Sequence, residues 1–118
     1  MNAYKSIALL SVLALPVFGQ SLTVRNDSRS TVVVQTATLS QGKLRSDRPI
    51  ILAAGAISSA IALEGDKMIT VYDSRSNRIL TQELHRDTKK SVALSIQSDP
   101  RTPGKIRLVP IPSDQRNP

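Results

Sequence analysis

The chain has 118 residues, a net charge of +7, 40% hydrophobic and 3% aromatic residues, one histidine and no cysteine. That length is one domain of ordinary size. Without cysteine, stability must come from core burial, and neither a blue-copper site nor a four-ligand structural zinc site can be assembled.

The N-terminus reads MNAYKSIALLSVLALPVFGQ: one charge at Lys5, an apolar run from Ile7 to Leu15, the helix breaker Pro16, and small residues placed for a cut after Gly19. This order predicts a cleaved secretory signal peptide over residues 1–19. The apolar run is too short for a membrane span, which needs roughly 20 residues. A secreted or periplasmic protein follows. Removing the segment takes Lys5, Tyr4 and Phe18 with it and leaves Tyr72 as the one aromatic residue. Stacking of successive bases or sugars needs several rings, so single-stranded nucleic acid is disfavoured as a partner. No groove-reading motif argues for duplex either.

Beyond the leader, apolar and polar residues alternate with the period of a strand. The stretches SLTVR and STVVVQTATL come first, the second rich in β-branched residues that suit a pleated surface. The run RPIILAAGAISSAIALEGD, residues 48–66, is read as two short strands meeting at Gly55, with Ile57, Ser59, Ile61 and Leu63 on one face. A buried helix is the rival there, because SDRP suits a helix start and Ala favours helix. MITVYD puts Ile69 and Val71 on one face, and RILTQEL puts Leu80 and Leu84 together. SVALSIQ points Val92, Leu94 and Ile96 to a core, and in KIRLVPI the proline at 110 places the last strand at an edge.

Polar turns separate these runs at intervals of about ten residues, which predicts an all-β fold. The expected architecture is a small antiparallel β-sandwich, immunoglobulin-like, of about 7–8 strands. It occupies residues 20–111, followed by a flexible Pro-rich tail over 112–118.

Chemistry-bearing residues are sparse. His85 lies in LHRDTKK with no partner motif and reads as a solvated loop histidine, and no serine sits in a nucleophile elbow. Glu64, Asp66, Asp73, Asp87 and Asp99 are scattered over the loops without calcium-loop spacing. No catalytic, cofactor-binding or metal residue is assigned, and a non-enzymatic protein is expected. Asn26-Asp27-Ser28 fits the N-glycosylation pattern.

The four residues DSRS occur twice, at 27–30 and 73–76, each between apolar runs. Asp and Ser hydrogen-bond nearby backbone in turns, so both copies read as hairpin tips. If the strands run up and down, the two tips share one end of the sandwich with DPRTPGK and the Gly55 turn. The candidate anion-binding residues are then Arg29, Arg75, Arg78 and Arg101. Two functions are consistent with this pattern. One is an exported interaction or accessory module of an envelope or extracellular assembly, with a protein partner able to pair at an edge strand. The other is an Arg-mediated binder of acidic polysaccharide or an anionic membrane surface. Oligomeric state has no signature in the sequence.

Overall fold

Strand-period alternation builds nine strands and no helix among the described residues, 20–86 and 90–112 of a computed structural model. The expected leader, 1–19, lies outside the described residues, as does the expected tail beyond Pro112. The strands are β1 (Gln20–Asn26), β2 (Val32–Ser40), β3 (Lys43–Ser46), β4 (Ile50–Leu52), β5 (Ile61–Leu63), β6 (Asp66–Asp73), β7 (Ile79–His85), β8 (Val92–Ser98) and β9 (Ile106–Pro110).

They form two facing sheets. A four-stranded sheet has the order β5-β1-β8-β9, and a five-stranded sheet has β3-β2-β6-β7, with β4 also paired to β2. All pairs are antiparallel except β1 with β8, which run parallel. This departs from a simple up-and-down order: β1 sits between β5 and β8, and the chain changes sheet after β1, β4, β5 and β7. β3 and β4 both align antiparallel to β2 and make one edge pass, broken at residues 47–49. Counted this way the chain runs the length of the sandwich in eight passes.

The inward rows of the two sheets make the core. Leu22, Val24 and Ile96 of one sheet and Val32, Val34, Ile69 and Val71 of the other are all 0–1% exposed. Each such side chain contributes roughly 1.5–3 kcal/mol by leaving water. The β2–β3 hairpin closes through Gln41 and Gly42, both at positive φ (53° and 76°), the geometry whose twist matches paired strands. At Gly65 (φ 87°), a Cβ would lie 3.1 Å from the Leu39 carbonyl oxygen, so the β5–β6 turn needs glycine for space as well as backbone.

The stretch 48–66 holds strands, not a helix, and turns at Gly55 (φ 84°). Its expected alternation fails at one point. Ile61 and Leu63 face the core, but Ile57 is 63% exposed and Ser58 is buried. The Ser58 amide donates to the Val24 carbonyl (2.8 Å) and its Oγ accepts from the Val24 amide (2.9 Å), so hydrogen bonding overrides the apolar pattern. In β7, Leu80 packs on the core while Leu84 lies opposite Met68 on the outer face. A register shift at Val71/Tyr72 inserts an extra residue and separates two leucines that share a face in a regular strand. β9 is an edge strand ending at Pro110, as the proline requires.

Candidate anion-binding site

Three loops meet at one end of the sandwich, and each is shaped by a short polar side chain. The first DSRS copy is a crossover between sheets instead of a hairpin tip, joining β1 to β2. It is built on Asn26, which is 0% exposed. The Asn26 amide donates to the carbonyls of Ser30 (2.8 Å) and Leu52 (3.0 Å). Its Oδ1 accepts from the Ser28 amide (3.0 Å) and the Ser28 hydroxyl (2.6 Å). Both donors and both acceptor positions are filled, which makes a buried amide tolerable. It also leaves Asn26 no accessible nitrogen for glycosylation in the folded chain.

The second copy is a true hairpin tip between β6 and β7. Asp73 Oδ2 accepts from the Ser76 amide (3.1 Å) and hydroxyl (2.7 Å), with Asn77 at φ 59° closing the turn. The Ser76 hydrogen bonds hold the Asp73 carboxyl below its usual range, helped by the nearby Arg75 charge. In the third loop, between β8 and β9, Asp99 Oδ1 accepts from the Arg101 amide (2.9 Å). The acids of the second and third loops are therefore occupied by turn backbone.

Register brings the tips together. Val32, just after the first DSRS, pairs with Asp73, which begins the second. Arg29 and Arg75 consequently line one depression of about 360 Å³, together with Ser30, Thr31, Asp73 and Ser74. A neighbouring cleft of about 350 Å³ between the sheet ends is lined by Arg29, Arg78, Lys105 and Asp99, among others. Arg29 belongs to both. Arg101 is exposed on the third loop and lines neither depression. Among the described residues the ion pairs are Arg25–Asp27 (2.8 Å) and Lys67–Asp47 (2.9 Å). None of the four candidate arginines forms a salt bridge among those residues, although the Arg75 charge acts on Asp73 in the same depression. Planar guanidinium groups outside a salt bridge, on loops fixed by local hydrogen bonds, can receive carboxylate, sulfate or phosphate oxygens bidentately.

Asp27, the remaining acid near this end, is engaged elsewhere. It accepts from Arg25 Nε and from the Ser95 hydroxyl on the outer side of the four-stranded sheet. Burial raises its pKa, but the Ser95 and Arg25 hydrogen bonds and the Arg25 charge outweigh this and lower it overall.

The far end holds a feature that sequence reading missed. Lys67 is 2% exposed, in line with Ile69 and Val71 on the inward face. Its Nζ donates to Thr38 Oγ1 (2.6 Å) and Asp47 Oδ2 (2.9 Å), while Thr36 Oγ1 donates to the same carboxylate oxygen (2.7 Å). Burial pushes the Asp47 carboxyl up, and the bonds from Thr36 and Lys67 with the charges of Lys67 and Arg45 bring it below its usual value. The Asp47 amide donates to the Thr36 carbonyl (2.8 Å), and Gln35 Nε2 donates to the Asp47 carbonyl. The network fastens the break between β3 and β4 to β2. The spacing of Lys67, Ile69 and Val71 at every second residue was the available signal, since period-2 alternation carries the lysine to the core side.

His85 is not a solvated loop residue. It ends β7 opposite Lys67, half-buried, with Nε2 enclosed and unpartnered among the described residues. Among the described residues no three His, Asp or Glu side chains converge there, and of the scattered acids Asp87 lies outside those residues. No helix among those residues is long and apolar enough to cross a membrane. No protein-family model matches the chain, and no curated protein matches it in sequence.

Proposed function

We propose that the protein is an exported, non-enzymatic binding module that engages an acidic polysaccharide or an anionic surface through Arg29, Arg75 and Arg78. One observation carries this reading: two sequence-distant turns bring Arg29 and Arg75 to one depression, while Asp27 is held by Arg25 and Ser95 and Asp73 by Ser76. Export rests on the leader-like segment 1–19, and such a module acts by contact within an envelope or extracellular assembly. Its size and two facing sheets support an immunoglobulin-like sandwich.

Edge-strand pairing with a protein partner has less to support it. β5 has three residues, the β3–β4 edge is broken, and the seven-residue β7 edge lies against the β9 edge, where the Leu108 amide donates to Glu83 Oε2 (3.3 Å) and Lys105 Nζ donates to the Ile79 carbonyl (3.5 Å). Short, interrupted and capped edges discourage strand addition.

Retention on a heparin-like or lipopolysaccharide surface under a salt gradient tests the proposal. The native protein should remain bound at roughly 0.15 M ionic strength, where exposed charges more than about 8 Å apart are screened. The triple variant Arg29→Ala, Arg75→Ala, Arg78→Ala should elute well below it. Elution of the native protein far below that ionic strength, or at the same salt as the variant, would falsify the reading.

A further inference from the structure

The outer face of the five-stranded sheet is unlike the rest of this basic molecule. The register places Ile51, Val33, Tyr72 and Ile79 in one outward row across four strands. Towards the far end Ala37, Met68 and Leu84 form another, and Leu39 pairs with Leu44 beside it. Ile51 is 72% and Leu44 64% exposed, and Ile79, Leu39 and Leu84 are each 40% or more exposed. Between the apolar rows runs a neutral belt of Gln35, Thr70 and Gln82. Parts of it bond within the chain: Gln82 Nε2 donates to Thr70 Oγ1 (2.9 Å), and Gln35 Nε2 to the Asp47 and Thr36 carbonyls. Among the described strand residues on this face only Asp66, at one corner, carries a charge, in a chain of 21% charged residues. Lys43, Arg45 and Lys67 belong to these same strands but alternate to the other side.

The outer face of the four-stranded sheet is built differently. It carries Ser21, Thr23 and Arg25, then Ala93, Ser95, Gln97, Arg107 and Val109, a mixed surface on which Ala93 and Ser95 are buried and two arginines bring positive charge.

We infer that the outer face of the five-stranded sheet is a self-association surface, occupied by the same face of a second copy of this chain. Charge matching selects that occupant. In a two-fold contact every patch meets the same surface of its partner, so a face of one sign repels itself and a neutral one does not. An anionic membrane or acidic protein would be met by lysine and arginine on the face, and its strands direct theirs away. The area is sufficient. Strands of eight or nine residues and four strand positions give a patch of about 26 by 19 Å at ordinary strand spacings. Two copies then enclose on the order of 1,000 Å² before side-chain relief is counted, the lower bound for a specific interface. Stacked sheets pack in this way about 10 Å apart in sandwiches generally.

Sedimentation equilibrium of the protein over roughly micromolar to millimolar concentration is the test. A reversible dimer is expected. Ile51→Lys and Leu84→Lys each introduce a charge on an exposed position of the face and should weaken dimerisation about a hundredfold, because like charges then meet in a contact that excludes water. Thr23→Lys on the other outer face should leave it unchanged. Circular dichroism of each variant confirms that the fold is retained, and Leu44→Lys replaces either variant that fails to fold. A monomer at all concentrations overturns the inference, as does a dimer indifferent to the lysine substitutions. Adsorption of a monomer to vesicles containing anionic phospholipid, lost with Ile51→Lys, also overturns it and makes the face a lipid contact.

Discussion

The two ends of the sandwich treat positive charge in opposite ways. At the far end Lys67 is buried, and its ammonium is bonded to Thr38 and to an aspartate that also fastens an edge strand. At the near end Arg29, Arg75 and Arg78 lie around open depressions, with the local acids Asp73 and Asp99 engaged in their own turns. A charge removed from water needs a partner to be tolerated, so Lys67 belongs to the fold. A charge left in water with no partner contributes little to stability and remains free to meet a ligand. Location within the same sandwich therefore divides cations into a buried structural one and solvent-facing ones, the group to which the proposed binding residues belong.

The largest expected disturbance of this contrast is at the buried amide that shapes the near end. Asn26→Ala removes four hydrogen bonds and leaves the buried Ser28 amide and the Leu52 carbonyl without that partner. At about 1 kcal/mol for each bond, a loss on the order of 3–4 kcal/mol is expected in urea unfolding. Arg29 should lose its placement with it, so retention on the acidic surface should fall as well.

Asp47→Ala comes next. Removing one partner of a buried pair costs about 3–5 kcal/mol. Because the Asp47 side chain keeps 30% of its exposure, about 2–3 kcal/mol is the expected value by the same denaturation measurement. The near end should be unaffected, with retention of the variant equal to that of the native protein. A drop in retention would show that the two ends are coupled.

Acid should act in the same direction as these losses. Asp27, Asp47 and Asp73 all have folded-state pKa values below the ordinary 3.8. The unfolded chain therefore binds protons more readily, and stability gained from these carboxylates is complete above the unfolded value and lost as pH falls through the lower folded values. Thermal unfolding at a series of pH values should show a decline that begins near pH 4 on the way down. Asp47→Asn should flatten part of it. A native profile without slope below pH 4 would contradict the assigned hydrogen bonds.

The smallest stability effect belongs to the arginines. Arg29→Ala with Arg75→Ala should change unfolding free energy by no more than about 0.5 kcal/mol, as exposed positions outside special features do. Retention should nevertheless fall. Stability and binding thus move separately at the near end, whereas at the far end only stability responds.

Much of the architecture was legible because a strand has a period of two. Val92, Leu94 and Ile96 follow that rule, as do Ile69 and Val71, and Gly55 divides two strands as a turn glycine should. The shared end of the two DSRS stretches was also legible, since the chain makes full-length passes and parity alone fixes the end of each loop. Legibility stopped where a single local event changed the period. The bulge at Val71/Tyr72 turned Leu84 outward, and the Ser58 hydrogen bonds exchanged the places of Ile57 and Ser58.

Sequence by itself determined the all-β character, the strand positions other than β3, whose polar residues read as a turn, the absence of cysteine-based sites and the grouping of arginine-bearing turns, all of which depend on local spacing and residue chemistry. Only the tertiary structure decided which strands neighbour one another, that the first DSRS is a crossover organised by a buried Asn26, that Lys67 is sealed against Asp47, and that one outer face is apolar. Those features arise from contacts between residues far apart in the chain. Pairing partners, burial and ion pairing are properties of how the sheets meet, and no local pattern specifies them.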